Sequence, residues 1–261
     1  IRGYLELVKP HLSLYIALAA LLGHVSGQGQ ITTETFCIGA GVLILAFGSA
    51  VLNNIQDRAY DRFFFRTAGR ILAAGQFRLT HARLLSLFLI FSGLGILVGF
   101  GGMPCLWASV LAVVAYNGLY TPLKKKTLWA MVPGVVSGML PVWIGWAGSG
   151  RPLFDPDPMM LMMVLGLWQV PHFLIIALKT NNRPASSAAG RLSFPLVSSR
   201  LSSLDIRFQT VLWTGLYSMG MFQVLLSGSQ SVNWAGLILG VNALLIPFLM
   251  TLILFFPRPS S

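Results

Sequence analysis

Charged residues, and acidic ones above all, are scarce in this sequence. Only 10% of its 261 residues are charged, with 7 Asp and Glu against 18 Lys and Arg, whereas 55% are apolar. Soluble domains carry about a quarter charged residues, so this composition excludes a water-soluble globule, and the apolar content excludes a disordered chain. Cysteine is scarce too: Cys37 and Cys105 both lie in apolar stretches and form neither a disulfide framework nor a metal-binding spacing.

Long apolar segments take the place of the missing charge. Runs of about 20 apolar residues recur along the chain, and each is long enough to cross a bilayer. They predict an all-α, polytopic transmembrane helix bundle in the lipid bilayer, with a single domain over residues 1–261. The eight predicted spans are 11–26, 34–55, 82–100, 103–120, 128–147, 158–178, 208–227 and 233–256.

The basic residues predict the orientation. One side of the membrane receives the N-terminus, the loops 56–81, 121–127 and 179–207, and the C-terminus. That side then holds 17 of the 18 Lys and Arg residues, with Arg151 alone on the other. Positive loops stay in the cytoplasm, so we expect a cytoplasmic N-terminus and a functional site on the cytoplasmic side of a prokaryotic plasma membrane. This distribution also explains the basic excess without a nucleic-acid partner.

The few acids point to the site. Asp57 and Asp61 follow the apolar part of the second span, and if the helix persists there, Asn53, Asp57 and Asp61 lie at i, i+4 and i+8 on one face, about 6 Å apart at each step. A carboxylate in a bilayer helix is costly and usually faces a cavity and a partner. One interpretation is a site for Mg²⁺ shared with a diphosphate. The alternative is a solvated helix end that pairs with the arginines at 58, 62 and 66.

Several motifs resemble one family. NNIQDRAYDR at 53–62, followed by RTAGRILAAGQ at 66–76, resembles the first aspartate-rich motif of the UbiA superfamily of intramembrane prenyltransferases, NxxxDxxxD followed by RTxxRPLxxG, with Ile71 at the usual proline. YTPLKKKT at 120–127 resembles the family's YTxxLKRxT loop. LPVWIGWAG at 140–148 and WQVPHF at 168–173 resemble the branch of the superfamily that farnesylates haem.

The resemblance implies a reaction and a set of site residues. The reaction is the Mg²⁺-dependent transfer of a farnesyl group from farnesyl diphosphate to a vinyl group of haem B, which gives haem O. It implies catalytic and metal-binding roles for Asn53, Asp57 and Asp61, and contact with haem for His172 and Trp168. The predicted diphosphate-binding residues are Arg66, Arg70, Tyr120, Lys124, Lys125, Asn181 and Asn182.

The sequence also departs from the family. Asparagines stand in KTNNRP at 179–184 where the haem-farnesylating branch has acids, which leaves a second metal site open, and the superfamily has nine spans against the eight found here. Two other interpretations therefore stay open: a transferase of the same superfamily with an aromatic or quinone-precursor acceptor, and a relative that binds haem or prenyl lipid without turnover.

Two further alternatives concern the class of protein and the histidine at 172. A transporter or channel would also use eight spans, but transporters usually carry ionisable residues near the membrane midplane, and here the acids cluster at one mouth. His172 lies within an apolar span, where a neutral histidine bonded to a carbonyl is the alternative to a haem contact.

Overall fold

The computed structural model describes residues 2–63, 65–181 and 203–226, and this part of the chain is helical. The helices are α1 (Arg2–Val8), α2 (Pro10–Gln28), α3 (Thr33–Asp61), α4 (Phe65–Ala68), α5 (Leu79–Val113), α6 (Thr121–Leu123), α7 (Met131–Gly148), α8 (Pro156–Asn181) and α9 (Ser203–Leu226). A π-helical segment, Val114–Tyr120, joins α5 to α6, and a short 3-10 turn, Leu128–Ala130, precedes α7.

The helices correspond to the predicted spans up to residue 226. The spans at 11–26 and 34–55 lie in α2 and α3, and those at 128–147, 158–178 and 208–227 correspond to α7, α8 and α9. The spans at 82–100 and 103–120 lie in α5 and its π-helical continuation, which is interrupted at Gly102, where φ is 70° and ψ is −169°. Only glycine takes such a conformation readily. The predicted span at 233–256 lies outside the described residues.

Three stretches of the described chain are long and apolar enough to cross a membrane: Thr33–Asp61, Leu79–Leu123 and Met131–Gly148. Large apolar side chains are exposed along α5, among them Phe88 and Phe91, each with 68% of its surface exposed. An apolar surface of this kind fits lipid rather than water. The protein is therefore an integral membrane protein with an all-α fold.

The described chain divides into two compact units, one that extends to Pro158 and one that begins at Met159. In the first unit α2, α3, α5 and α7 pack around a core that includes Val42, Leu97 and Ile144. Glycines allow this close packing. A Cβ on Gly145 would come within 1.9 Å of the Ala20 carbonyl oxygen, and a Cβ on Gly93 would lie 2.7 Å from the Leu45 backbone nitrogen.

At one end of this unit, α1 and the segment between α3 and α5 cover the end of the bundle. Leu7 of α1 and Leu72 of the segment are buried with Val51 and Ala82. A Glu6 carboxylate oxygen accepts a hydrogen bond from the Ile71 backbone N–H at 3.0 Å. No pattern in the sequence indicates α1 as a separate helix, because seven residues carry too little periodicity.

Candidate active site

The carboxylates at the end of α3 lie inside the first unit. The helix continues without a break to Asp61, which is the condition under which Asn53, Asp57 and Asp61 share one face. Asp57 is 6% exposed, Asp61 8% and Asn53 2%. The alternative of a solvated helix end therefore does not describe this site.

Two lysines hold Asp57. The ammonium of Lys124 donates to Oδ2 at 2.6 Å, and the ammonium of Lys125 lies 2.9 Å from Oδ1. Burial lowers the pKa of Lys124, and the negative charge of Asp57 opposes that shift. Each oxygen of this carboxylate thus faces a positive charge.

Asp61 pairs with a different loop. Its Oδ2 accepts a 2.8 Å hydrogen bond from Nη1 of Arg70, and its backbone carbonyl accepts one from the Thr67 hydroxyl at 3.0 Å. Arg62, a candidate partner in the solvated-end alternative, instead donates Nε to the Ala73 carbonyl at 2.9 Å. The side chain of Arg66 lies outside the described residues.

Asn53 uses both ends of its amide. Nδ2 donates to Oδ2 of Asp57 at 3.0 Å and to the Thr121 hydroxyl at 3.1 Å, and Oδ1 accepts from the ammonium of Lys9 at 3.0 Å. An ammonium can only donate and a carboxylate can only accept. The two neighbours therefore fix which end of the amide faces which group.

Lys9 was not among the predicted site residues. It is half-buried between α1 and α2, and burial, with repulsion from Arg70 and Lys124, lowers its pKa from 10.5 to about 8. The only sequence signal is a lysine before a proline at the start of the first span, which also fits an ordinary positive flank.

The π-helical segment positions the lysine pair. Nδ2 of Asn117 donates to the Ser49 backbone carbonyl at 3.0 Å, and the backbone carbonyl of Asn117 accepts a 2.9 Å hydrogen bond from Nε2 of Gln56. Ser49 and Asn117 also hydrogen-bond through their side chains. These contacts hold the end of the fourth predicted span against α3, so the turn that follows places its lysines beside Asp57. π-Helical turns occur frequently at functional sites, but no pattern in the sequence indicated this one.

Tyrosines surround the lysines. The rings of Tyr116 and Tyr120 stack with their centroids 5.6 Å apart. The Lys124 ammonium lies 5.4 Å from the Tyr120 centroid, and the Lys125 ammonium 4.8 Å from that of Tyr60. These distances are within the range of cation–π attraction, so electron-rich ring faces and positive charges share this end of the unit.

The oxygen donors fit a magnesium ion that is shared with a substrate. Within the described residues no three His, Cys, Asp or Glu side chains lie close enough to hold a metal ion by themselves. Magnesium, however, is commonly held by one or two carboxylates together with substrate phosphates, and Asp57 and Asp61 supply two carboxylates one helical turn apart. The Asn53 oxygen faces Lys9 and would have to leave that hydrogen bond to join them.

The residues predicted to contact haem lie in the second unit. On α8 the rings of Trp168 and His172 have centroids 6.0 Å apart, and Trp168 also lies 5.8 Å from the ring of Tyr217 on α9. The side chain of His172 is exposed. The side chain of Asn181, and all of Asn182, lie outside the described residues.

Two carboxylates lie at the end of apolar helices, surrounded by two lysines and an arginine. This arrangement suits an enzyme that binds a lipid diphosphate. Comparison with known proteins gives the class: the chain is an intramembrane prenyltransferase. The sequence profile of the UbiA prenyltransferase family matches residues 13–260, and the chain belongs to that family.

Among its relatives are proteins named protoheme IX farnesyltransferase. The one from Geobacter sulfurreducens is 33% identical over 246 residues, which cover 94% of this chain and 89% of the relative. The one from Bdellovibrio bacteriovorus is 30% identical over 225 residues, 83% of this chain and 74% of the relative. The chain is thus similar to haem farnesyltransferases over most of its length.

Solved structures show the same fold. The apo UbiA homologue from Aeropyrum pernix K1 has a TM-score of 0.74 at 17% identity and covers 94% of this chain and 89% of its own. The UbiA homologue from Archaeoglobus fulgidus bound to GPP and Mg²⁺ has a TM-score of 0.71 at 14% identity and covers 95% and 86%. The predicted fold class is confirmed.

Proposed function

We propose that the chain transfers a farnesyl group from farnesyl diphosphate to a vinyl group of haem B in a magnesium-dependent reaction that gives haem O. The similarity to protoheme IX farnesyltransferases over 94% of the chain supports the acceptor. The observation that carries the diphosphate chemistry is the pair of buried carboxylates, Asp57 and Asp61, each within 3 Å of a cationic side chain.

Asp57 and Asp61 are the proposed ligands of a magnesium ion, and Asn53 is a proposed third ligand if it exchanges its bond with Lys9. When bound together with the substrate, the ion would neutralise negative charge on the diphosphate. The UbiA homologue bound to GPP and Mg²⁺ supports the use of this ion by a protein of the same fold.

The cations around the carboxylates assist the leaving group. When the bond between C1 of the farnesyl group and the diphosphate oxygen breaks, the diphosphate keeps the electron pair. Charge-assisted hydrogen bonds from Lys124, Lys125 and Arg70 would stabilise this anion. Arg66, Asn181 and Asn182 are proposed to bind the same group.

The allylic cation then requires shelter from bulk water and an electron-rich partner. The stacked rings of Tyr116 and Tyr120 offer their faces to a cation. The cation carbon bonds to the terminal vinyl carbon of haem. Water then adds to the positive charge left on the neighbouring carbon and loses a proton to solvent, which gives the alcohol. Trp168 and His172 are proposed to contact the haem that supplies this vinyl group.

The membrane arrangement is part of the proposal. We infer a single domain with eight spans over this sequence, a cytoplasmic N-terminus and an active site on the cytoplasmic side of a bacterial inner membrane. The bacterial origin of the relatives supports this membrane, and the distribution of basic residues supports the orientation.

The test is to incubate the purified chain with Mg²⁺, farnesyl diphosphate and haem B and to identify products by mass spectrometry. A farnesylated haem that disappears in Asp61→Asn, and persists in Asp157→Asn, supports the proposal. The control removes the same charge from an exposed aspartate at the start of α8. A product formed with a phenolic acid instead of haem would indicate the quinone-precursor alternative. Binding of both substrates without any product would indicate a relative without turnover.

A further inference from the structure

Among the described residues Lys9 forms no ion pair with an acidic side chain, although Asp57 and Asp61 lie near enough to attract its charge. Its ammonium donates one hydrogen bond, to Oδ1 of Asn53 at 3.0 Å. In the described part of the chain, the two carboxylates of the site pair with other cations: Asp57 pairs with Lys124 and Lys125, and Asp61 pairs with Arg70. A positive charge withdrawn from water and bonded to a neutral amide is costly. Packing alone does not account for a lysine at this position.

The backbone of Lys9 is held in a conformation that a lysine rarely adopts. Its φ is 49° and its ψ is 62°, and among the described residues no other non-glycine residue has a positive φ. Such strain costs free energy and persists where the surroundings enforce it, often at functional sites. Here the Lys9 N–H donates to the Leu5 carbonyl at 3.2 Å, and the Lys9 carbonyl accepts from the Ser13 N–H at 3.1 Å. The junction between α1 and α2 thus fixes the backbone from which the side chain reaches Asn53.

The charges at this end of the unit are unbalanced. Three cationic side chains pair with the two carboxylates, Asp57 and Asp61, and a fourth cation, Lys9, bonds to Asn53 beside them. Two of the four, Arg70 and Lys124, lie close enough to Lys9 to repel its charge. An anion with more than one negative charge would relieve this repulsion. A diphosphate carries such a charge, and it offers several oxygens to different donors.

We propose that Lys9 binds the diphosphate of the prenyl substrate, and this assignment rests on the proposed function. An ammonium has three N–H donors. One donates to Asn53 in the structure, and we assign the other two to a phosphate oxygen. This contact does not need the bond to Asn53 and persists if Asn53 exchanges that bond to join the magnesium ion. Lys9 thereby adds a contact from the α1–α2 junction to those from the loops after α3 and α6.

The first experiment measures the affinity of the purified full chain for inorganic diphosphate and for farnesyl diphosphate, with Mg²⁺ present, by calorimetry in detergent. Lys9→Met is expected to weaken the affinity for both by roughly tenfold to a hundredfold, the worth of a hydrogen bond to a charged group. Haem binding, followed by absorbance, should not change. Lys9→Arg should keep most of the affinity, because it keeps the charge and the donors. Arg83→Met is the control, since it removes an exposed positive charge near the start of α5.

The second variant separates binding from structure. Glycine adopts positive φ without strain, so Lys9→Gly is expected to raise the melting temperature while it weakens diphosphate binding as Lys9→Met does. A purely structural lysine cannot produce these opposite changes. Unchanged diphosphate affinity in both variants, or an equal loss of haem and diphosphate binding, would overturn the proposal. A wild-type chain that forms no farnesylated haem, yet needs Lys9 to bind diphosphate, would reject the proposed reaction and leave this assignment standing.

Discussion

The ion pair between Asp57 and Lys124 offers the sharpest separation of stability from catalysis. The two groups are 2.6 Å apart, and their side chains are only 9% and 11% exposed. Removing one partner of a buried pair costs about 3–5 kcal/mol, because the other charge stays buried without compensation. We expect Asp57→Asn to lower the free energy of unfolding by about 3 kcal/mol, at the low end of that range, because both side chains keep some contact with water.

The partner substitution should cost less. In Lys124→Met, the Asp57 carboxylate keeps the ammonium of Lys125 at 2.9 Å and the amide of Asn53 at 3.0 Å. We therefore expect a loss of about 1–2 kcal/mol, the value of one charged hydrogen bond. The double variant should lose less than the sum of the singles, with a coupling of about 2 kcal/mol.

The measurements are equilibrium unfolding in mixed micelles and prenyl transfer on the same preparations. Stability should partly recover in the double variant, because only Lys125, and no longer Lys124, is then left without its partner carboxylate. Prenyl transfer should stay at background in Asp57→Asn and in the double variant, since the proposed ligand is absent from both. If the double variant regained activity, the pair would be structural and its role in binding the ion and the diphosphate would be refuted.

Three further predictions concern packing, positioning and the acceptor. Gly145→Ala should prevent stable folding, as its Cβ would meet the Ala20 carbonyl oxygen at 1.9 Å, whereas Gly95→Ala, with nothing within 4 Å, should be neutral or stabilising by thermal melting. Asn117→Leu leaves hydrogen-bonding groups of α3 without their partner, so it should cost about 2 kcal/mol of stability and weaken diphosphate binding; unchanged binding would show that the π-helical segment does not position the lysines. His172→Ala should weaken haem binding, titrated by absorbance, more than farnesyl diphosphate binding, and equal effects would indicate a packing role.

The sequence predicted the fold class and the core of the candidate site from local patterns. Apolar length indicated the helices, and the spacing of Asn53, Asp57 and Asp61 indicated one face of a helix, because positions four residues apart are neighbours whatever the rest of the chain does. The prediction depended on the helix continuing past its apolar part, and α3 does continue to Asp61. The roles of these residues as ligands stay a prediction.

Other parts of the site had no local signal. The π-helical segment adds a backbone distortion that hydropathy does not report, and α1 is too short to show a period. Lys9 stood among 18 Lys and Arg residues, most of which fit equally well as positive flanks of spans. What distinguishes it is its contact with Asn53, which is 44 residues away.

The sequence by itself determined that this is a bundle of membrane helices with a few acidic residues at one end, because hydropathy and helical periodicity are properties of short stretches of chain. Only the tertiary structure decided which cation meets which carboxylate. The nearest candidates in sequence, Arg58 and Arg62, do not form the described ion pairs; Lys124, 67 residues from Asp57, does. The reason is physical, because an ion pair forms only where the packing of helices brings two groups within about 3 Å. That packing depends on close contacts at glycines, on the π-helical segment and on the α1–α2 junction.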